Sequence, residues 1–262
     1  MTASVPHAPR LPNGITAHRG NAAQYPENTL RAFAAGLTCG ADWIELDVRL
    51  SKDNRLVVIH DETTGRTAGV DLPVAATSFA RLRALDMARE FRKKNGLPLE
   101  ACPPQRIPLL GEVLELAKRY CRVRVSIQPK ADCVGEIVER IRALNAEDRV
   151  GFNDGSREKM SEARRHLPEA PIFLDTSPDG PPLADSIAFA RDRGFETIVM
   201  NRAEVTAGAV RRVKAAGLQA GAWTVNNLEE ACRFAALGVD RFYTDMPVTL
   251  LFGLDRQQPR SH

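Results

Sequence analysis

Short β-branched or apolar runs recur along the chain, and amphipathic stretches of helical period separate most of them. Ile15 to His18 leads into Asn28 to Leu37, where Leu30, Phe33, Ala34 and Leu37 fall at i, i+3, i+4 and i+7 and Asn28 is placed to cap the helix. Trp43 to Val48 and Leu56 to His60 flank a polar turn at Ser51 to Asn54 and read as paired strands. Val123 to Ile127, Val150 to Phe152, Ile172 to Leu174, Thr197 to Met200, Gln219 to Trp223 and Phe242 to Thr244 complete the strand candidates. Alternation of this kind implies an α/β fold of parallel strands with crossover helices. An open doubly wound sheet would give a similar string. No Gly-x-Gly-x-x-Gly follows the first strand, however, and eight βα units in 262 residues suit a closed (β/α)8 TIM-type barrel.

That length fits one barrel domain over residues 1–262. Within it, residues 62–108 break the rhythm, placing Pro73, Pro98, Pro103, Pro104 and several glycines between a strand and the helix near Glu112 to Tyr120. The segment reads as a small insertion in an early βα loop. Such loops lie at the active-site face of a barrel, so the insertion is placed to lid or shape a pocket; plain surface elaboration is the competing reading.

Composition excludes more than it names. Hydrophobic content of 44% and charged content of 26% are ordinary for a globular chain. The net charge is +3, but basic residues are interspersed with acidic ones, and neither a basic stripe nor an aromatic stacking platform for nucleic acid stands out. Five cysteines (Cys39, Cys102, Cys121, Cys133, Cys232) are odd in number and lack a Cys-x-x-Cys pair or a histidine at metal-ligand spacing. Free thiols in a reducing compartment are expected, with neither disulfides nor zinc. Residues 1–14 contain Pro6, Pro9 and Pro12 but no apolar stretch of signal-peptide length, and nothing later approaches a membrane span. A cytoplasmic protein without stable membrane insertion is the expectation, with homo-oligomerisation left open.

The chemistry gathers at strand ends. His18-Arg19-Gly20, Glu45-x-Asp47 and His60-Asp61 each sit at or near the C-terminal end of a predicted strand, and in a barrel those ends converge. Carboxylates at i and i+2 on one strand share a face, as chelation of a hard divalent cation requires. Two histidines can supply an acid and a base near neutral pH, and Arg19 offers a forked donor set to phosphate oxygens. A lone strand-end histidine is more often structural, and Glu-x-Asp is more often a solvated face. Here Glu45 and Asp47 alternate with Ile44, Leu46 and Val48 in a central segment, where unpaired carboxylates are costly and a cation is the natural partner. Trp43 is expected between barrel and helices, and His7, His166 and His262 are read as solvated or capping. Glu27 either supports Arg19 or serves as a loop charge or cap.

Ala17-His18-Arg19-Gly20, Pro26-Glu27-Asn28-Thr29, Gly40-Ala41-Asp42-Trp43-Ile44-Glu45-Leu46-Asp47-Val48 and Val57-Val58-Ile59-His60-Asp61 together closely resemble the glycerophosphodiester phosphodiesterase family in order and spacing. Ile107-Pro108-Leu109-Leu110, Trp223-Thr224-Val225-Asn226, Gly238-Val239-Asp240 and Tyr243-Thr244-Asp245-Met246-Pro247 extend the resemblance over nearly the whole chain. The resemblance implies a barrel with calcium or magnesium held by Glu45 and Asp47, His18 and His60 as acid and base, Arg19 and Lys130 on the phosphate, and Trp223 lining the substrate pocket. It implies hydrolysis of a glycerophosphodiester to glycerol phosphate and an alcohol, with attack by a glycerol hydroxyl through a cyclic phosphate.

Two segments depart from the family pattern. Ser126-Ile127-Gln128-Pro129-Lys130 carries Gln128 where the family has its third metal-binding carboxylate, and Phe152-Asn153-Asp154-Gly155 lacks the family's serine and aromatic pair. A Gln carbonyl can ligate either cation but removes one negative charge, so weaker metal binding is expected. The competing functions are a phosphodiesterase or cyclising lyase for a sugar or lysolipid diester, and a non-catalytic phosphodiester-binding barrel that lost turnover with Gln128.

Overall fold

The computed structural model describes residues 14–120 and 122–257, with the side chains of 255–257 excepted, and its strands form where the β-branched and apolar runs lie. They are β1 (Gly14–Ala17), β2 (Trp43–Leu50), β3 (Leu56–Val58), β4 (Arg124–Pro129), β5 (Val150–Asp154), β6 (Ile172–Asp175), β7 (Thr197–Asn201), β8 (Gln219–Trp223) and β9 (Arg241–Thr244). The parallel order β1-β9-β8-β7-β6-β5-β4-β2 closes through a parallel β1–β2 pairing, so eight strands form the TIM-type barrel. The crossover helices are α1 (Leu30–Thr38), α5 (Leu110–Ala117), α6 (Val134–Ala143), α7 (Arg157–His166), α8 (Leu183–Asp192), α9 (Ala207–Ala215) and α10 (Leu228–Ala236), and α11 (Pro247–Gln257) follows the last strand. Residues 62–108 hold the short helices α2 (Gly65–Ala68), α3 (Phe79–Arg83) and α4 (Arg89–Asn95).

Strand alternation divides the side chains of β2 between two layers. Ile44, Leu46 and Val48 join the core shared by barrel and helices, where Phe33 and Leu37 of α1 and Val113 and Leu114 of α5 also lie. Trp43 instead joins Phe173, Val199 and Tyr243 inside the barrel, its ring edge-on to Phe173 at 5.2 Å. It therefore plugs the barrel interior, not the barrel–helix interface. Glu45 and Asp47 share its face of the strand. A third cluster, with Val57, Ile59, Leu82 and Ile107, forms beneath residues 62–108.

One local expectation changes. Thr29, not Asn28, caps α1: its Oγ1 accepts from the Ala32 amide at 3.2 Å, while Asn28 takes a left-handed φ of 55° and donates to Asp47 Oδ2 at 2.8 Å. As the polar turn between the two runs predicts, β3 pairs antiparallel with β2, Val48 opposite Val58, and it stands outside the closed barrel. β2 overshoots, the Ser51 to Asn54 turn reverses the chain, and the Ile59 amide donates to the Asp47 carbonyl at 3.0 Å. The hairpin thus returns His60 to the level of Asp47.

Cys39, Cys102, Cys133 and Cys232 are free thiols. His166 ends α7, 3.8 Å from Glu162. His7, the N-terminal prolines, Cys121 and His262 lie outside the described residues. Among the described residues no helix is long and apolar enough to cross a membrane.

Candidate active site

The first βα turn places His18 and Arg19 at the barrel mouth. Arg19 and Gly20 both adopt positive φ, 54° and 85°, and a Cβ on Gly20 would lie 2.5 Å from the Ala32 carbonyl carbon, so only glycine lets this turn pack on α1. The turn directs the Arg19 amide to Glu45 Oε2 at 3.0 Å. Its guanidinium lies 3.3 Å from Asp47 Oδ2 and donates to Glu27 Oε1 at 3.0 Å. Glu27 is bridged in turn by Arg66 from α2, whose Nε also reaches Asp61 at 2.5 Å. Glu27 therefore supports Arg19 directly, and burial, which would raise its pKa, is outweighed by Arg66 and Arg19.

His18 and His60 are each held through Nδ1 by a carboxylate oxygen at 2.7 Å, Asp245 for His18 and Asp61 for His60. Their environments nevertheless pull in opposite directions. Burial acts to lower the His18 pKa, but the Asp245 hydrogen bond and the charge of Glu45 outweigh it, and the net shift is upward. For His60 burial wins over Asp47 and Asp61, and the shift is downward. Asp61 itself is lowered to about 2; its partial burial is outweighed by Arg66 and His60.

Glu45 is 1% and Asp47 0% exposed, and Glu45 Oε1 and Asp47 Oδ1 have no hydrogen-bond partner. Burial and the charge of Asp47 push Glu45 up to about 7. Lys130 Nζ stands 3.6 Å from Asp47 Oδ1. Gln128, opposite Asp47 on β4, donates through Nε2 to Asp175 Oδ2 at 3.4 Å, and Asn153 donates to the same oxygen at 3.3 Å. Burial and the charge of Asp154 push Asp175 up to about 8. Among the described residues no three His, Cys, Asp or Glu side chains already stand in a metal-ligating cluster. Buried carboxylate oxygens without partners nonetheless fit a hard cation, the partner that would satisfy them.

These groups face one cavity of about 330 Å³ lined by His18, Arg19, Glu45, His60, Gln128, Lys130, Asp175 and Trp223. Trp223 is fixed there by donating its indole N–H to the Thr176 carbonyl at 3.0 Å. An adjoining chamber of about 580 Å³ shares His18 and Arg19 and is walled by Met87, Phe91 and Lys94 from the 62–108 segment. A larger groove of about 1060 Å³ lies outside the barrel among α1, α5 and α6 and touches none of these residues.

Every residue singled out in the sequence for acid–base, phosphate or cation chemistry thus reaches one barrel mouth, Asp47 from beneath the cavity floor. Sequence reasoning missed Asp245, Asp61, Asn28, Arg66 and Asp175. Asp245 and Asp61 lie inside recognised motifs, whereas Asp175 is a solitary carboxylate at a strand end with no local signal.

Residues 18–249 match the glycerophosphoryl diester phosphodiesterase family. A glycerophosphodiester phosphodiesterase of Bacillus altitudinis is 32% identical, covering 89% of this chain and 94% of its own. One from Caldanaerobacter subterraneus subsp. tengcongensis is 31% identical, with coverage of 90% and 96%. Among solved structures, a putative glycerophosphoryl diester phosphodiesterase from Silicibacter pomeroyi superposes with a TM-score of 0.80 at 26% identity, covering 92% of this chain and 93% of its own.

Proposed function

The chain belongs to the glycerophosphoryl diester phosphodiesterase family, and on that premise we propose that it is a phosphoric diester hydrolase that cleaves a glycerophosphodiester to glycerol phosphate and an alcohol, with His18 and His60 as its acid–base pair. The observation that carries this reading is the pairing of each histidine with its own carboxylate at 2.7 Å around one cavity that also holds unpartnered carboxylate oxygens.

The opposed environments support opposite roles. His60, lowered by burial, is neutral near pH 7 and accepts the proton of the attacking hydroxyl. His18, raised by Asp245 and Glu45 against its burial, is the better suited of the two to carry a proton and deliver it to the departing alkoxide. The two carboxylates hold the imidazoles by Nδ1 and so leave Nε2 on each ring for the proton transfers. Lys130 and Arg19 bring positive charge to the phosphate oxygens, where charge accumulates in the transition state. Trp223 walls the cavity against the organic part of the substrate. Residues 62–108 are an insertion in the one barrel domain and wall the chamber beside His18.

Glu45, Asp47 and the Gln128 carbonyl would hold a divalent cation, Ca2+ or Mg2+. When bound, it supplies a fixed positive charge against the phosphodiester. The test is turnover of glycerophosphocholine with calcium, magnesium or EDTA, in wild type, His18→Ala and His60→Ala. Each substitution is expected to cost about 10²–10⁴-fold in kcat with the fold intact. Wild-type turnover in either variant, or full activity in EDTA, would sink the corresponding part of the reading. Phosphorus NMR of the product separates hydrolysis from a reaction that stops at a cyclic phosphate.

A further inference from the structure

The carboxylate missing at Gln128 has a counterpart two strands further round the barrel. Asp175 ends β6, two residues beyond Phe173, whose ring lies inside the barrel. Strand alternation therefore turns Asp175 inward as well, and it lines the same cavity as Glu45 and Gln128. Its Oδ2 accepts from Gln128 Nε2 at 3.4 Å and from Asn153 Nδ2 at 3.3 Å. Both donors are neutral amides, so neither cancels its charge. Asp175 Oδ1 is shut off from solvent without a partner, the same condition as Glu45 Oε1 and Asp47 Oδ1. Three carboxylates with unmet oxygens thus surround one mouth.

We propose that Asp175 supplies the third negative charge of the cation site and orients the Gln128 amide toward it. The inference rests on the cation reading above. An amide that gives its nitrogen to Asp175 presents its oxygen on the opposite side, as the donor a hard cation takes. A glutamate at 128 beside Asp175 would instead set two carboxylates against each other at that spacing. Gln128 and Asp175 therefore form a matched pair, in which the charge has moved from one residue to its neighbour and the hydrogen bond remains. Asp175 meets the site through the Gln128 amide, so it is a positioning residue acting through Gln128. The two-carboxylate count behind the expected weaker metal binding becomes three.

Calorimetric titration of Ca2+ and of Mg2+ into chelator-stripped protein tests this directly. Asp175→Asn keeps the shape and hydrogen-bonding atoms and removes only the charge. It is expected to weaken cation binding by about tenfold or more, and the exchange Gln128→Glu/Asp175→Asn to recover most of that loss. Melting in EDTA checks that each variant folds. Asp175→Asn binding as wild type, or a folded exchange variant binding no better than Asp175→Asn, would overturn the inference. If Asp175→Asn alone does not fold, the exchange variant decides by the same comparison with wild type. A wild type that binds neither cation overturns the cation reading and this inference together, whereas wild-type binding unaffected by Asp175→Asn overturns this inference alone.

Discussion

His18 and His60 are chemically the same group, and what separates their proposed roles is the company each keeps. The Asp245 hydrogen bond is the largest of the contributions raising His18, and it does not depend on what occupies the carboxylate site. Asp245→Asn is therefore expected to lower the His18 pKa. A general acid works only while protonated, so the alkaline limb of the kcat/KM–pH profile should move to lower pH, with activity near pH 5.5 less affected than at pH 8. A profile merely scaled down, with its limbs in place, would show that Asp245 does not tune this proton. Both histidines and both β2 carboxylates were legible from residue type at strand ends, and Lys130 only through the family resemblance. Their partners were less so. Asp245 lies 227 residues from His18, and nothing local tells an Asp that holds an imidazole from one that starts a helix. Asp175 was silent for the same reason, its meaning residing wholly in a neighbour 47 residues away.

The first βα turn shows how an element can carry chemistry that its residues alone do not. Gly20 sits at φ 85° with its α-carbon pressed toward the Ala32 backbone, and the turn it makes delivers His18 to Asp245 and the Arg19 amide to Glu45. Gly20→Ala adds both left-handed strain and a backbone clash. A loss of about 1–3 kcal/mol in urea unfolding is expected, with a drop in kcat because the turn must shift. Thr29→Ala removes the cap of α1 together with the hydroxyl's hydrogen bond to the Pro26 carbonyl, and should cost about 1–2 kcal/mol. If the two variants lose equal stability and equal activity, the turn has no special hold on the site. Strands were the readable elements, since each is a short apolar run bounded by polar residues, and all of the runs noted from sequence recur as strands within a few residues. The pairing of β3 with β2 was legible too, because the short polar turn between the two runs leaves no room for the crossover that parallel strands need. Asn28 and Thr29 are both good caps, and only the Asp47 contact decides which is free to serve. The helices α2 to α4 are too short to show a helical period.

At the scale of the molecule, the barrel is plugged below and charged above. Arg241 lies buried between Trp43 and Phe173, its guanidinium 3.8 Å from the Phe173 ring centroid, so packed side chains fill the barrel beneath the carboxylates of the mouth. Desolvation is the main reason Glu45 rises to about 7 and Asp175 to about 8, from ordinary carboxylate values of 4.5 and 3.8. In the unfolded chain both are ionised well below neutrality. Between those limits the folded, cation-free protein binds more protons than the unfolded chain, so this contribution makes stability fall as pH rises from about 4.5 toward 8. A cation bound at the proposed site would take the place of those protons, and its stabilising effect would therefore grow over the same range. At a hundredfold excess over Kd, mass action alone gives about 2.7 kcal/mol, on the order of 5–10 °C in Tm for a chain of this size. At a fixed Ca2+ concentration the rise in Tm over EDTA should accordingly be small at pH 5 and large at pH 8. An equal rise at both would mean that the cation binds away from Glu45 and Asp175, and the carboxylate mouth would then need another partner to explain its buried, unpaired oxygens.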